Sequence, residues 1–68
     1  MYTLMKIIVN NQPCEIADGS SIADLLADKP AEGTATALNG NFVKRELRPT
    51  TILQEGDEVV IISAAYGG

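Results

Sequence analysis

Residues 58–63, Glu-Val-Val-Ile-Ile-Ser, are the most strand-prone run of the sequence, and they are apolar on both faces of an extended chain. Such a strand suits the middle of a sheet, covered on one side by a helix and on the other by a few loops or a partner. The one strong helical pattern in the chain supplies that helix. Ile22, Leu25 and Leu26 recur at i, i+3 and i+4, which makes one apolar stripe, and the pattern predicts a helix over residues 22–29. Ser21 is placed as its N-cap, and Asp24, three residues on, reaches back as the acid of a capping box. Asp24 also lies in the positive end of the helix dipole. Pro30 and Gly33 stop the helix.

The other segments read as strands and turns. Residues 5–10 alternate, with Met5, Ile7 and Val9 on one face and Lys6, Ile8 and Asn10 on the other. Asn10-Asn11-Gln12-Pro13 signals a turn, and Cys14-Glu15-Ile16-Ala17 a short second strand that closes a hairpin. Residues 34–39 predict a third strand, Asn39-Gly40 a tight hairpin turn, and residues 41–44 a short return strand. Pro49 breaks regular structure, and residues 50–53 form a short turn or a single helical turn that tucks Leu53 under the sheet. Residues 1–4 either extend the start of the chain or lengthen the first strand.

The order β-β-α-β-β-β predicts an α+β fold of the β-grasp (ubiquitin-like) type. In it one helix packs across a mixed sheet of four to five strands, and the helical crossover makes the first and last strands parallel neighbours at the centre. Residues 1–66 form a single domain, and residues 64–68 a flexible tail ending in Gly67-Gly68. The expected core is Ile7, Val9, Ile16, Ile22, Leu25, Leu26, Leu38, Leu53, Val59 and Ile61.

Composition narrows the function. A domain of 68 residues buries only roughly 60% of its unfolded surface, which leaves little room for an enclosed active site. The net charge of −4 has the wrong sign for a nucleic-acid binder. With no histidine and a single cysteine, a zinc site, a cysteine–histidine catalytic pair and an internal disulfide are all excluded. No metal site or bound cofactor is expected. No stretch is long and apolar enough to span a membrane, and the start lacks a signal-peptide pattern, so the expected location is cytoplasmic.

The chemistry rests on Gly67-Gly68. A terminal carboxylate is inert at neutral pH, but attack on the α-phosphate of ATP makes it an acyl-adenylate, and a sulfur donor then displaces AMP to leave a thiocarboxylate. A terminus used in this way threads a narrow channel in a partner enzyme. Glycine lets the backbone pass closely and leaves the carbonyl uncrowded. Two glycines alone are a weak signal; their place four residues after the apolar run, on a chain of this size and order, strengthens it.

Met5 to Asn11 (MKIIVNN), Asp18 to Leu26 (DGSSIADLL), Ala37 to Arg45 (ALNGNFVKR), Gly56 to Val59 (GDEV) and Gly67-Gly68 together make the chain resemble the bacterial sulfur-carrier family of thiamin biosynthesis. The resemblance implies a carrier and not an enzyme. Its Gly68 is adenylated with ATP by a ubiquitin-activating-type enzyme, thiolated from a sulfur donor such as a cysteine desulfurase, and used by thiazole synthase. The small subunit of molybdopterin synthase and carriers of other thioacid or cysteine pathways share the order and the terminal glycines.

The sequence also keeps a binding module that acts only through its sheet surface, and a protein modifier conjugated to lysines. Among other residues, Tyr66 beside Gly67 is a candidate partner contact. If Val59 and Ile61 meet the helix, then Val60 and Ile62, with Ile8, form an apolar docking patch on the open side of the sheet. Cys14 reads as a small strand residue. Lys44, Arg45 and Arg48 read as a solvated basic strand end, and Glu55, Asp57 and Glu58 as the polar cover of a turn.

Overall fold

The computed structural model describes residues 3–27 and 33–63; residues 1–2, 28–32 and 64–68 lie outside the described residues. Five strands, β1 (Leu4–Val9), β2 (Gln12–Ala17), β3 (Thr34–Leu38), β4 (Asn41–Val43) and β5 (Glu58–Ser63), form one sheet in the order β2-β1-β5-β3-β4. β1 and β5 are parallel, and all other neighbours are antiparallel. With the helix α1 (Ile22–Leu25) in the crossover between them, this is the β-grasp arrangement. The run that is apolar on both faces is the central strand.

Local sequence explains the turns. Asn10 and Asn11 both adopt positive φ, 51° and 66°, a region that asparagine tolerates better than other side chains. Those two residues alone reverse the chain, so β2 starts at Gln12 and not at Cys14. Pro13 then sits inside β2, where an edge strand accepts the missing donor. Asn39-Gly40, at φ 50° and 87°, makes the expected hairpin turn between β3 and β4.

The capping box forms as expected. Asp24 N–H donates to Ser21 Oγ at 3.1 Å, and Ser21 N–H donates to Asp24 Oδ2 at 2.9 Å. The helix is shorter than expected over its described part, ending at Leu25. Leu26 N–H is shared between Ile22 O and Ala23 O at 3.2 Å each, and its φ of −103° has left the helical region. Residues 28 and 29 of the expected helix lie outside the described residues. The second helical element also differs from expectation. A 3-10 turn spans Arg45–Thr50 with Pro49 inside it. Thr50 and Thr51 hydroxyls both donate to Leu47 O and so satisfy a carbonyl at the end of the turn. Ile52 beyond it is exposed and bridges Ser21, and Leu53 is buried beneath the sheet.

The core consists of Met5, Ile7, Ile22, Leu26, Val43, Leu53 and Val59. Val9, Ile16, Leu25, Leu38 and Ile61 pack against it but stay half-buried. A helix of one turn is only about 6 Å long and covers a strip of the sheet, so Leu25 and the sheet margins keep contact with water. One expectation is reversed. Arg48 belongs to no solvated basic cluster, because its side chain is buried, whereas Lys44 and Arg45 are exposed. Among the described residues, no helix is long and apolar enough to cross a membrane, and no cluster of three potential ligands is placed to hold a metal ion.

Candidate functional site

Strand register decides which side chains share the open face of the sheet. Directly paired residues point to the same side. Val59 pairs with Val9 and Leu38, and these belong to the helix side. The alternate residues therefore face away from the helix. On β5 these are Glu58, Val60 and Ile62; on β1 they are Leu4, Lys6 and Ile8. Ile8 is 37% exposed, Val60 45% and Ile62 61%, so the three residues expected to form a docking patch do share an uncovered face.

The register adds a residue that sequence reasoning missed. Val60 lies opposite Ala37, and Ala37 lies opposite Phe42. Phe42, 68% exposed, thus completes a row Phe42-Ala37-Val60 across three strands, about 10 Å from end to end. A second row, Ala35 and Ile62, lies beside it. The two alanines are short, so the face dips along β3 between Phe42 and the β5 side chains. The signal was present: the Asn39-Gly40 turn pairs residues 38 and 41, which places Phe42 against Ala37. Polar groups flank the patch, with Glu58 beside Ile8 on β5 and the cross-strand pair Lys6 and Glu15 beyond it. An apolar centre within a polar margin is the form of a protein-binding surface.

The same strand carries the patch and leads to the glycines. β1 pairs with β5 only as far as Val9 opposite Val59. Beyond that point Asn10 takes over with its side chain: Ile61 N–H donates to Asn10 Oδ1 at 2.8 Å, and Asn10 Nδ2 donates to Ile61 O at 3.2 Å. An amide side chain here replaces a peptide group of a neighbouring strand, so β5 stays extended to Ser63. At the other end of the strand, Asn39 Oδ1 accepts from Glu58 N–H at 2.9 Å, and Asn39 Nδ2 donates to Asp57 Oδ1 at 3.1 Å. Asp57 also accepts from Gln54 N–H at 2.8 Å. Asp57 therefore braces a turn, as expected of it, and Glu58 is exposed on the open face.

Ser63 is the last described residue before the tail. Tyr66, Gly67 and Gly68, the remaining candidate site residues, lie outside the described residues. Cys14 is half-buried on β2 opposite Ile7, the position of a small strand residue.

Comparison with known proteins follows this geometry closely. The ThiS family model matches residues 7–68. The sulfur carrier protein ThiS of Escherichia coli (strain K12) is 33% identical over a 66-residue alignment that covers 94% of this chain and all of that protein. The crystal structure of the thiamine biosynthesis protein ThiS from Geobacter metallireducens superposes with a TM-score of 0.79 at 29% identity, covering 94% of this chain and all of that one. The solution structure of a Geobacter metallireducens thiamine biosynthesis protein gives 0.78 at 29% identity, over 94% of this chain and 88% of that one.

Proposed function

The chain belongs to the ThiS family and is a sulfur carrier protein of thiamine biosynthesis; on that premise we propose that Gly68 is the group-bearing residue and the sheet face its docking surface. The Gly68 carboxylate attacks the α-phosphorus of ATP in the active site of a ubiquitin-activating-type enzyme, and pyrophosphate leaves. A sulfur nucleophile at the oxidation level of hydrosulfide then adds to the acyl carbon, and AMP departs to leave the thiocarboxylate. If the sulfur arrives as a persulfide from a cysteine desulfurase or similar donor, the acyl disulfide formed is cleaved by one further thiol, which is oxidised. The thiocarboxylate passes to thiazole synthase. In this reading ATP is consumed by the partner, no cofactor is held by the chain, and the chain is a cytoplasmic co-substrate, not an enzyme.

The observation that carries the proposal is the continuity of β5. One strand presents Val60 and Ile62 on the open face, beside Ile8 and Phe42, and ends at Ser63, five residues before Gly68 in the sequence. A partner seated on that face is already beside the root of the reactive segment. Binding energy gained on the patch can thus be spent on holding the terminus in position for attack. Tyr66 and Gly67 are assigned to the channel, where a small backbone and one aromatic anchor set the depth of insertion.

The test is intact-mass analysis of a Cys14→Ser chain incubated with the adenylating enzyme, ATP, a sulfur source and a thiol-reactive label. A labelled species that needs ATP and is lost when Gly68 is removed is the expected result. The serine background ensures that only a thiocarboxylate takes the label. A chain that stays unlabelled with its cognate activator would refute the assignment of Gly68.

A further inference from the structure

Asn39 joins the end of β3 to the start of β5. It grips both backbone groups of Glu58: its own N–H donates to Glu58 O at 2.8 Å, and its Oδ1 accepts from Glu58 N–H at 2.9 Å. Its Nδ2 donates to Asp57 Oδ1 at 3.1 Å. The side-chain amide is thus held at both its oxygen and its nitrogen, although Asn39 and Gly40 are exposed to water.

The turn that places Asn39 here also makes it chemically labile. Gly40 has φ 87°, a region that side chains rarely adopt, so the turn calls for glycine. Glycine leaves its backbone nitrogen unscreened, and the space where a Cβ would sit is open. Asparagine is a thermolabile residue because the next backbone nitrogen can attack its side-chain carbonyl carbon, and a following glycine hinders that attack least. Asn10, Asn11 and Asn41 are followed by Asn, Gln and Phe, whose side chains screen the nitrogen.

We propose that Asn39 is the deamidation site of this chain, and that its contacts to Asp57 and Glu58 guard it in the folded state. The Gly40 nitrogen bonds to Asn39 Cγ, the Cγ–Nδ2 bond breaks, and ammonia leaves with the proton from Gly40. Water then opens the succinimide. Cleavage at one carbonyl leaves aspartate; cleavage at the other leaves isoaspartate, whose main chain runs through the former side chain. Ring closure turns Cγ toward Gly40 and releases the amide from Glu58 N–H and Asp57, so the reaction proceeds through a local opening. Either product loosens the junction of β3 and β5. Aspartate lacks the Nδ2 donor and sets a carboxylate against that of Asp57. Isoaspartate lengthens the main chain by one methylene, so its N–H and its carboxylate no longer match Glu58. The chemistry needs no partner enzyme and is independent of the carrier reading.

The experiment follows deamidation of the full chain by peptide mapping with mass detection, at neutral pH and well below the unfolding midpoint, against the same chain in urea. Folded wild type should react at Asn39 at least about tenfold more slowly than the unfolded chain, the worth of one hydrogen bond to a charged group. Asp57→Ala should react about tenfold faster than folded wild type. Ser21→Ala, which lowers stability at the helix cap, should stay within about twofold of wild type, because the opening is local. Equal rates in the folded and unfolded wild type would overturn the proposal. So would earlier reaction at another asparagine, or an acceleration in Ser21→Ala as large as that in Asp57→Ala. If Asp57→Ala fails to fold, Asp57→Ser takes its place under the same criteria, since its one hydroxyl serves the Gln54 amide and leaves none for Asn39. Asn39→Asp, the aspartate product made directly, should unfold about 4–8 °C below wild type; an unchanged midpoint would overturn the effect assigned to the modification.

Discussion

Phe42→Ala is the substitution that most directly tests the docking face. Phe42 is 68% exposed, and the surface of a phenylalanine is roughly 200 Å², so roughly 130 Å² remains for a partner to cover. At about 25 cal/mol per Å² that area is worth about 3 kcal/mol if fully buried. Alanine retains part of it, which leaves an expected loss of about 2 kcal/mol, or roughly 30-fold in Kd. The same exposure means that folding depends little on the ring, and the stability change should stay within about 0.5 kcal/mol. The assay is titration of the adenylating enzyme with labelled carrier in the absence of ATP, paired with thermal unfolding of each variant. At saturating carrier the rate of pyrophosphate release should be unchanged, since Phe42 is assigned to docking and not to the reacting end. A Kd within twofold of wild type would refute the assignment of the open face as the docking surface. A large fall in stability would refute the register that places Phe42 outside the core.

Three further outcomes follow from the structure. Ile7→Ala, at a position with no exposed surface, should lower stability by about 2–5 kcal/mol in denaturant titration; a smaller effect would move the centre of the core elsewhere. Ser21→Ala removes the Oγ acceptor of the Asp24 amide and should cost about 1 kcal/mol, lowering the unfolding midpoint by about 4–8 °C for a domain of this size; an unchanged midpoint would show that the cap contributes nothing. Deleting Gly67-Gly68 should leave the midpoint where it is and abolish thiocarboxylate formation in the label assay. Retained labelling would place the reactive group elsewhere.

Several features were legible because they depend on neighbours along the chain. Ser21 and Asp24 announce a capping box at their spacing, and the structure contains both bonds. Asn39-Gly40 announces a two-residue hairpin turn because both residues tolerate positive φ. The alternation of residues 5–9 and the apolar run at 58–63 identify the two central strands, and one helical stripe between them leaves a parallel pairing as the way to bury it. Gly67-Gly68 is proposed as the reactive end from its chemistry together with its place after the apolar run.

Other features needed the tertiary structure, because they depend on residues far apart in sequence meeting at a particular register. Arg48 carries the same charge as Arg45, yet one is buried and the other exposed; Arg48 donates to oxygens of Thr34 and Thr36 on β3, which only the folded sheet brings beside it. Asn10 reads as a turn residue, and its second task, completing the ladder at Ile61, exists only because β1 stops while β5 continues. Phe42 joins Val60 through Ala37 across two strand boundaries. The sequence by itself determined the order of the strands and of the helix between them, since propensity, periodicity and turn chemistry are local. The tertiary structure decided which apolar face stays open and which cation is buried, since both follow from how residues distant in sequence come together across the sheet.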